Sequence, residues 1–221
     1  MKATGTNVGV YLEKMTNDRV RFMSGEIEID PSWHIEDHVV VHGRVDSIGK
    51  RVNEISSQIK VGDKVYMSYF AVLMALGKFV NEAVEFANEK FVEVEKGVIV
   101  FIDIRDCFFS VRKGEGVIML NKRLLVRKVV KKLKSDFIEI PSHVQGEVVE
   151  NQAEVLHGGN KYKKGSIVVC KDHHMERVGY SMHNKALKTF LDVDDEIYTI
   201  RQEDVMAVTK WNLKPYSEKE N

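Results

Sequence analysis

Short runs in which apolar and polar residues alternate recur along the chain, and a period of two is the pattern of half-buried β-strands. In the first half these runs cover Val8–Met15, Arg19–Phe22, Glu26–Ile29, Val39–Ile48, Lys64–Tyr69 and Val98–Ile104. In the second half they cover Val117–Leu120, Arg123–Val130, Phe137–Ile140, Glu147–Val149, Ala153–Leu156, Ser166–Cys170 and Glu196–Ile200. One stretch breaks the rule. Between Tyr69 and Lys90, the residues Phe70, Leu73, Met74, Phe79, Val80, Ala83, Val84 and Ala87 return at three- and four-residue steps, which predicts an amphipathic helix with Gly77 placed to interrupt it. The expectation is an all-β fold with a short helical insertion in its first half.

The two halves read as one pattern written twice. Asn7–Met15 lines up with Asn121–Val129, each an extended run with charges on alternate positions. Ile27-Glu28-Ile29-Asp30-Pro31-Ser32 answers Ile138-Glu139-Ile140-Pro141-Ser142, and Gly43–Gly49 answers Ala153–Gly159, a strand ending at glycine. Ile59–Tyr66 (IKVGDKVY) answers Tyr162–Val169 (YKKGSIVV), and Ile102–Asp106 answers Tyr198–Gln202. No single pair is specific; their shared order carries the inference. The composition of Arg112–Gly116 (RKGEG) suits a linker, which predicts domains over residues 1–112 and 117–214.

An initial charged strand, an extended loop with an apolar triplet, a strand ending in glycine and then IKVGDKVYMSY at Ile59–Tyr69 is an order that resembles the ten-kilodalton co-chaperonin family, GroES and its relatives. The closing segment of that family is similar to Arg201–Val208 (RQEDVMAV), and more loosely to Arg105–Val111 (RDCFFSV). Read as two copies, the chain is similar in arrangement to the tandem co-chaperonins of chloroplasts. The resemblance implies two tandem GroES-like small β-barrels that assist protein folding by capping a GroEL-like chaperonin, with no cofactor. It also implies a homo-oligomer, assembled through edge strands, and a mobile loop in each copy that presents an apolar triplet to the chaperonin. Those contact positions fall on Ile27, Glu28 and Ile29, and on Phe137, Ile138 and Ile140. Both triplets depart from the family by a central glutamate. The same isoleucines, alternating with charge, equally suit inward-facing positions of ordinary strands. Lys50–Gln58 and Gly159–Lys164 are short for the roof hairpin of the family.

Composition narrows the alternatives. Hydrophobic residues at 43% and charged residues at 30%, with 3 prolines, describe a chain that can bury a core. The 33 basic and 33 acidic residues cancel, so no global field draws in nucleic acid. The basic run Arg123–Lys134 has no aromatic residue to stack bases, which disfavours a single-strand-binding barrel. Two cysteines far apart, and an opening MKATGTN unlike a signal peptide, lead to the expectation of a reducing, cytoplasmic setting with no membrane partner. Cys170, His173, His174 and His183 have the composition of a zinc site but match no common ligand spacing. His34, His38 and His42 lie in strand-like surroundings, too far apart along a strand to share an ion. No nucleophile elbow, phosphate loop or H-E-x-x-H motif is present, so a binding role is expected and not an enzyme. A structural or assembly protein built from the same barrels is the alternative function class.

Overall fold

Alternation writes itself directly into the sheets. In β1 (Asn7–Glu13), Val8, Val10 and Leu12 face inward, and in β5 (Gly97–Asp103) so do Val98, Val100 and Ile102. The two strands pair antiparallel from Asn7↔Asp103 to Glu13↔Gly97, which puts both apolar rows on one face. The computed structural model describes residues 2–13, 41–76, 90–131, 147–158, 161–172, 174–178, 188, 191, 193 and 196–209.

The first sheet contains β1, β2 (His42–Ile48), β3 (Lys64–Met67), β4 (Phe91–Val94), β5, β6 (Cys107–Arg112) and β7 (Gly116–Met119), in the order β4-β5-β1-β2-β3-β6-β7. The second contains β8 (Arg123–Lys131), β9 (Glu147–His157), β10 (Ile167–Cys170), β11 (Glu176–Arg177), β12 (Tyr198–Arg201) and β13 (Val205–Thr209), in the order β11-β12-β8-β9-β10-β13. Every pairing is antiparallel. The fold is all-β; α1 (Val52–Ile55) and α2 (Tyr69–Ala75) are short helices among the described residues.

The order of the second sheet is that of the first six strands of the first, and the likeness extends to irregularities. Ladder bulges fall between Gly9 and Val10 and between Leu125 and Val126, and again between Tyr66 and Met67 and between Val169 and Cys170. The glycine turns match bond for bond. Gly62 N donates to Val45 O at 2.8 Å, as Gly165 N does to Val155 O at 2.8 Å, and both glycines hold positive φ, 92° and 84°. Short 3-10 turns at Ile104–Asp106 and Gln202–Asp204 lead into β6 and β13. These markers keep the sequence pairing at Gly43 with Ala153 and Ile59 with Tyr162. At the two ends they shift it by two positions, so that Asn7 answers Arg123 and Asp106 answers Asp204. At the first end the sequence pairing rests on charge alternation, which repeats every two residues and cannot fix a register.

The linker expectation changes. RKGEG is not a linker: Arg112–Gly116 closes the hairpin between β6 and β7, with Gly114 and Gly116 at positive φ, inside the first sheet. The chain crosses to the second sheet at Leu120–Arg123, where Arg123 N donates to Leu120 O at 3.1 Å. The strands β4, β6 and β11 do not stand out in the sequence pattern; in β6 the consecutive buried Cys107, Phe108 and Phe109 hide any alternation. Of the helix expected over residues 70–90, Tyr69–Ala75 is described and buries Val72, Leu73 and Ala75, while residues 77–89 lie outside the described residues.

Among the described residues, three apolar clusters form the core. One lies within the first sheet, around Val8, Val10, Val65, Leu73 and Val100, and one within the second, around Leu124, Val126, Val155 and Ile200. The third joins them: Phe108, Phe109 and Val117 from the first sheet meet Leu125, Leu156 and Ile197 from the second. Leu124, Leu125 and Val126 are all fully buried because β8 has a core on each face.

Candidate functional site

The junction between the sheets is built as a rigid corner. Asn121 and Lys122 both hold positive φ, 54° and 52°, the geometry of a type I′ turn. Asn121 suits that region, and its Nδ2 donates to Ile104 O at 2.6 Å and Cys107 O at 2.7 Å, tying the turn to the first sheet. Arg123, 6% exposed, lies over the Phe108 ring at 4.8 Å and pairs with Glu176 at 3.2 Å. Burial, ahead of all else, lowers its pKa, and Glu176 opposes that. The basic run of β8 is thus committed largely within the protein: Arg127 pairs with Glu154 at 2.9 Å and Lys128 sits 4.8 Å from the Tyr198 ring centre.

His157, at the end of β9, crosses the junction by a hydrogen bond with the Val117 backbone. Burial holds its pKa below the ordinary 6.5, and the hydrogen bond only partly offsets this. With the folded value lowered, unfolding takes up a proton, so stability is lost as pH falls below the unfolded value of about 6.5. His157→Gln should therefore flatten the decline in urea midpoint between neutral pH and about pH 5.5, measured beside the wild type.

The 3-10 corner of each half opens on one cleft at this junction. Its basic end, about 620 Å³, is lined by Arg105, Lys122, Lys161, Arg201, Gln202 and Glu203. A neighbouring chamber of about 570 Å³ shares Ile55, Asn121, Lys122, Lys161 and Gln202 with it, and adds Val117, Ile118, Met119 and His157. Sequence reading missed this site because its residues come from five separate segments, and no local spacing announces them.

The expected contact residues Ile27, Glu28, Ile29, Phe137, Ile138 and Ile140 all lie outside the described residues. Their attachment points do not. Residues 14–41 join β1 to β2 and residues 132–146 join β8 to β9, the equivalent connection in each half. Of the histidine and cysteine cluster, His173 and His183 are outside the described residues. His174 Nδ1 lies 3.1 Å from Asp204 Oδ1, and Cys170 is a buried free thiol whose pKa burial, then Asp204, pushes up to about 11. Among the described residues, no group of three or more His, Cys, Asp or Glu could hold a metal ion. His34 and His38 also lie outside them, and His42 meets the edge of the Tyr66 ring, with centroids 5.2 Å apart. No helix among the described residues is long and apolar enough to cross a membrane.

No model of a known protein family matches the chain, and no curated protein matches its sequence.

Proposed function

We propose that the chain is a co-chaperonin-like capping subunit. In this reading two GroES-like barrels in tandem dock on a GroEL-type chaperonin through the segments that carry Ile27-Glu28-Ile29 and Ile138-Glu139-Ile140, with Phe137 beside the second. The observation that carries it is the duplicated strand order, in which each triplet-bearing segment joins the first strand of a repeat to the second. Two further features support it. The glycine turn of IKVGDKV leads into the third strand of its repeat, and RQEDVMAV forms the end of β12, a 3-10 turn and β13. Each buried isoleucine contributes about 1.5–3 kcal/mol, less the cost of ordering its segment. One triplet therefore binds weakly, and capping rests on several acting together.

Oligomerisation through edge strands follows from the internal junction. β6, the last strand of the first repeat, is covered by β7, the lead-in to the second. Its counterpart β13 has no such cover among the described residues, since the second sheet ends there. The burial changes accordingly: Phe108 and Ser110 are 1% and 0% exposed, whereas their counterparts Met206 and Val208 are 63% and 50% exposed. The lead-in of the first repeat is Lys2–Thr4. It enters β1 through Asn7 N to Thr4 O at 3.1 Å, as Leu120 is reached from Arg123 N at 3.1 Å. A second copy's lead-in added to β13 would repeat the internal junction head to tail and generate a ring if the rotation closes. The same exposed edge favours, as second reading, an assembly protein that uses the barrels as bricks.

Co-sedimentation with a GroEL-type chaperonin, with and without ATP, tests the proposal. Wild type should co-sediment in a nucleotide-dependent way, and the double variant Ile27→Asp with Ile138→Asp should not. Absence of wild-type binding under both conditions would remove the capping role and leave the assembly reading.

A further inference from the structure

We propose that the cleft at the junction binds a small organic phosphate, with a nucleotide as the class of ligand that fits. Arg105, Lys122, Lys161 and Arg201 line its basic end against a single acid, Glu203, in a chain whose 33 basic and 33 acidic residues otherwise cancel. These cations are weakly engaged. Arg105 lies 3.9 Å from Asp103 and Arg201 3.4 Å from Glu203, with both arginine side chains more than half exposed, and such pairs hold little energy. No ion pair of Lys122 or Lys161 occurs among the described residues, though Lys161 lies 5.2 Å from the Tyr162 ring centre.

The basic set is not inherited from the duplication. The counterparts of Arg105, Lys122, Lys161 and Arg201 in the other repeat are Glu203, Thr6, Gln58 and Asp103, none of them basic. Charge has been gathered at the one place where the repeats face each other within a chain. Lys122 is also held at φ 52°, a backbone region that strains an ordinary side chain and that glycine adopts freely. Folding alone would favour glycine after Asn121, because Asn-Gly is the preferred type I′ pair.

Chemistry and size define the ligand. The basic end offers donors for phosphate oxygens, and the adjoining chamber sets Ile55, Val117, Ile118 and Met119 beside Gln58 and His157, a mixed apolar and hydrogen-bonding wall suited to a base and its sugar. Cavities of about 570 and 620 Å³ fall in the range of small-molecule sites. Inorganic phosphate or pyrophosphate would satisfy the first end only, and a nucleoside the second only.

Titration calorimetry of the full chain with metal-free ATP, pyrophosphate and adenosine tests this. ATP should bind more tightly than either fragment, and more weakly as ionic strength rises toward about 0.15 M. Lys122→Gly should weaken ATP binding roughly tenfold while leaving the melting temperature unchanged or higher, an outcome that a merely structural role for Lys122 would not give. Lys161→Gln with Arg201→Gln should weaken it further. The proposal is overturned if ATP fails to bind at millimolar concentration, if pyrophosphate or adenosine binds as tightly as ATP, or if the variants bind ATP as the wild type does.

Discussion

Asp63→Asn should destabilise the protein by about 3–5 kcal/mol, the cost of breaking a buried ion pair from one side. Asp63, 3% exposed, is the acid of IKVGDKV, and it is surrounded by donors. Arg112 reaches its two carboxylate oxygens with Nε at 2.7 Å and Nη2 at 2.9 Å, the Lys60 amide donates at 2.9 Å, and the Ser110 hydroxyl at 3.4 Å. Arg112 in turn donates to Glu115 at 2.6 Å and to the Gln58 carbonyl at 2.6 Å, so the network clamps the glycine turn to the β6–β7 hairpin. Asparagine keeps the shape but removes the buried one of the guanidinium's two carboxylate partners, leaving only the exposed Glu115. The loss is a large part of a typical stability of about 5–15 kcal/mol, and urea denaturation should read it as a lower midpoint. The pH dependence follows the same group. Burial raises the Asp63 pKa, but Arg112, the Lys60 amide and Ser110 together outweigh it and hold it below the ordinary 3.8. A lowered folded value means that the stabilisation is complete above the unfolded pKa and is lost as pH falls through the folded one. Asp63→Asn should therefore be less sensitive than wild type to acid below about pH 4. A midpoint change worth under about 1 kcal/mol would show that the clamp is a surface pair in effect.

Val208→Pro should convert the assembled protein to single chains while leaving each chain folded. The counterpart of Val208 is Ser110, on the strand whose outward groups meet β7: Leu120 N donates to Phe108 O at 3.0 Å, and Ser110 pairs with Ile118. By alternation along the strand, the N–H of Val208 points away from β10 and toward the open edge. Proline there removes no bond within the second sheet but blocks addition of another strand, since it offers no donor. Light scattering after size exclusion should show the wild type as a multiple of 25.3 kDa and the variant at that single mass. A wild type that is already a single chain at all accessible concentrations would contradict head-to-tail assembly.

Where the residues spoke locally, the sequence was informative. Gly62 and Gly165 announce matched turns because only glycine takes their positive φ without strain, and their pairing keeps its register in the structure. The apolar alternation of β1 and β5 placed both strands because each has one face to the core. Legibility fails in β6, where Cys107, Phe108 and Phe109 carry no alternation because the junction core replaces solvent on their outer side. In β8 the consecutive buried Leu124, Leu125 and Val126 also lack alternation, but the polar Arg123, Arg127 and Lys128 around them still mark the strand read at Arg123–Val130. RKGEG misleads for a related reason: glycine and charge mark a turn, and a hairpin inside a sheet needs the same residues as a linker between domains. The junction cleft was illegible because Arg105, Lys122, Lys161 and Arg201 meet only after both halves have folded.

The measurement that most directly tests capping is hydrogen–deuterium exchange of the full chain with ATP present throughout, without and with a GroEL-type chaperonin. New protection should be confined to residues 14–40 and 132–146, strongest at Ile27–Ile29 and Phe137–Ile140, with β1, β8 and the junction unchanged. Protection elsewhere on the chain, or none in either segment, would contradict capping.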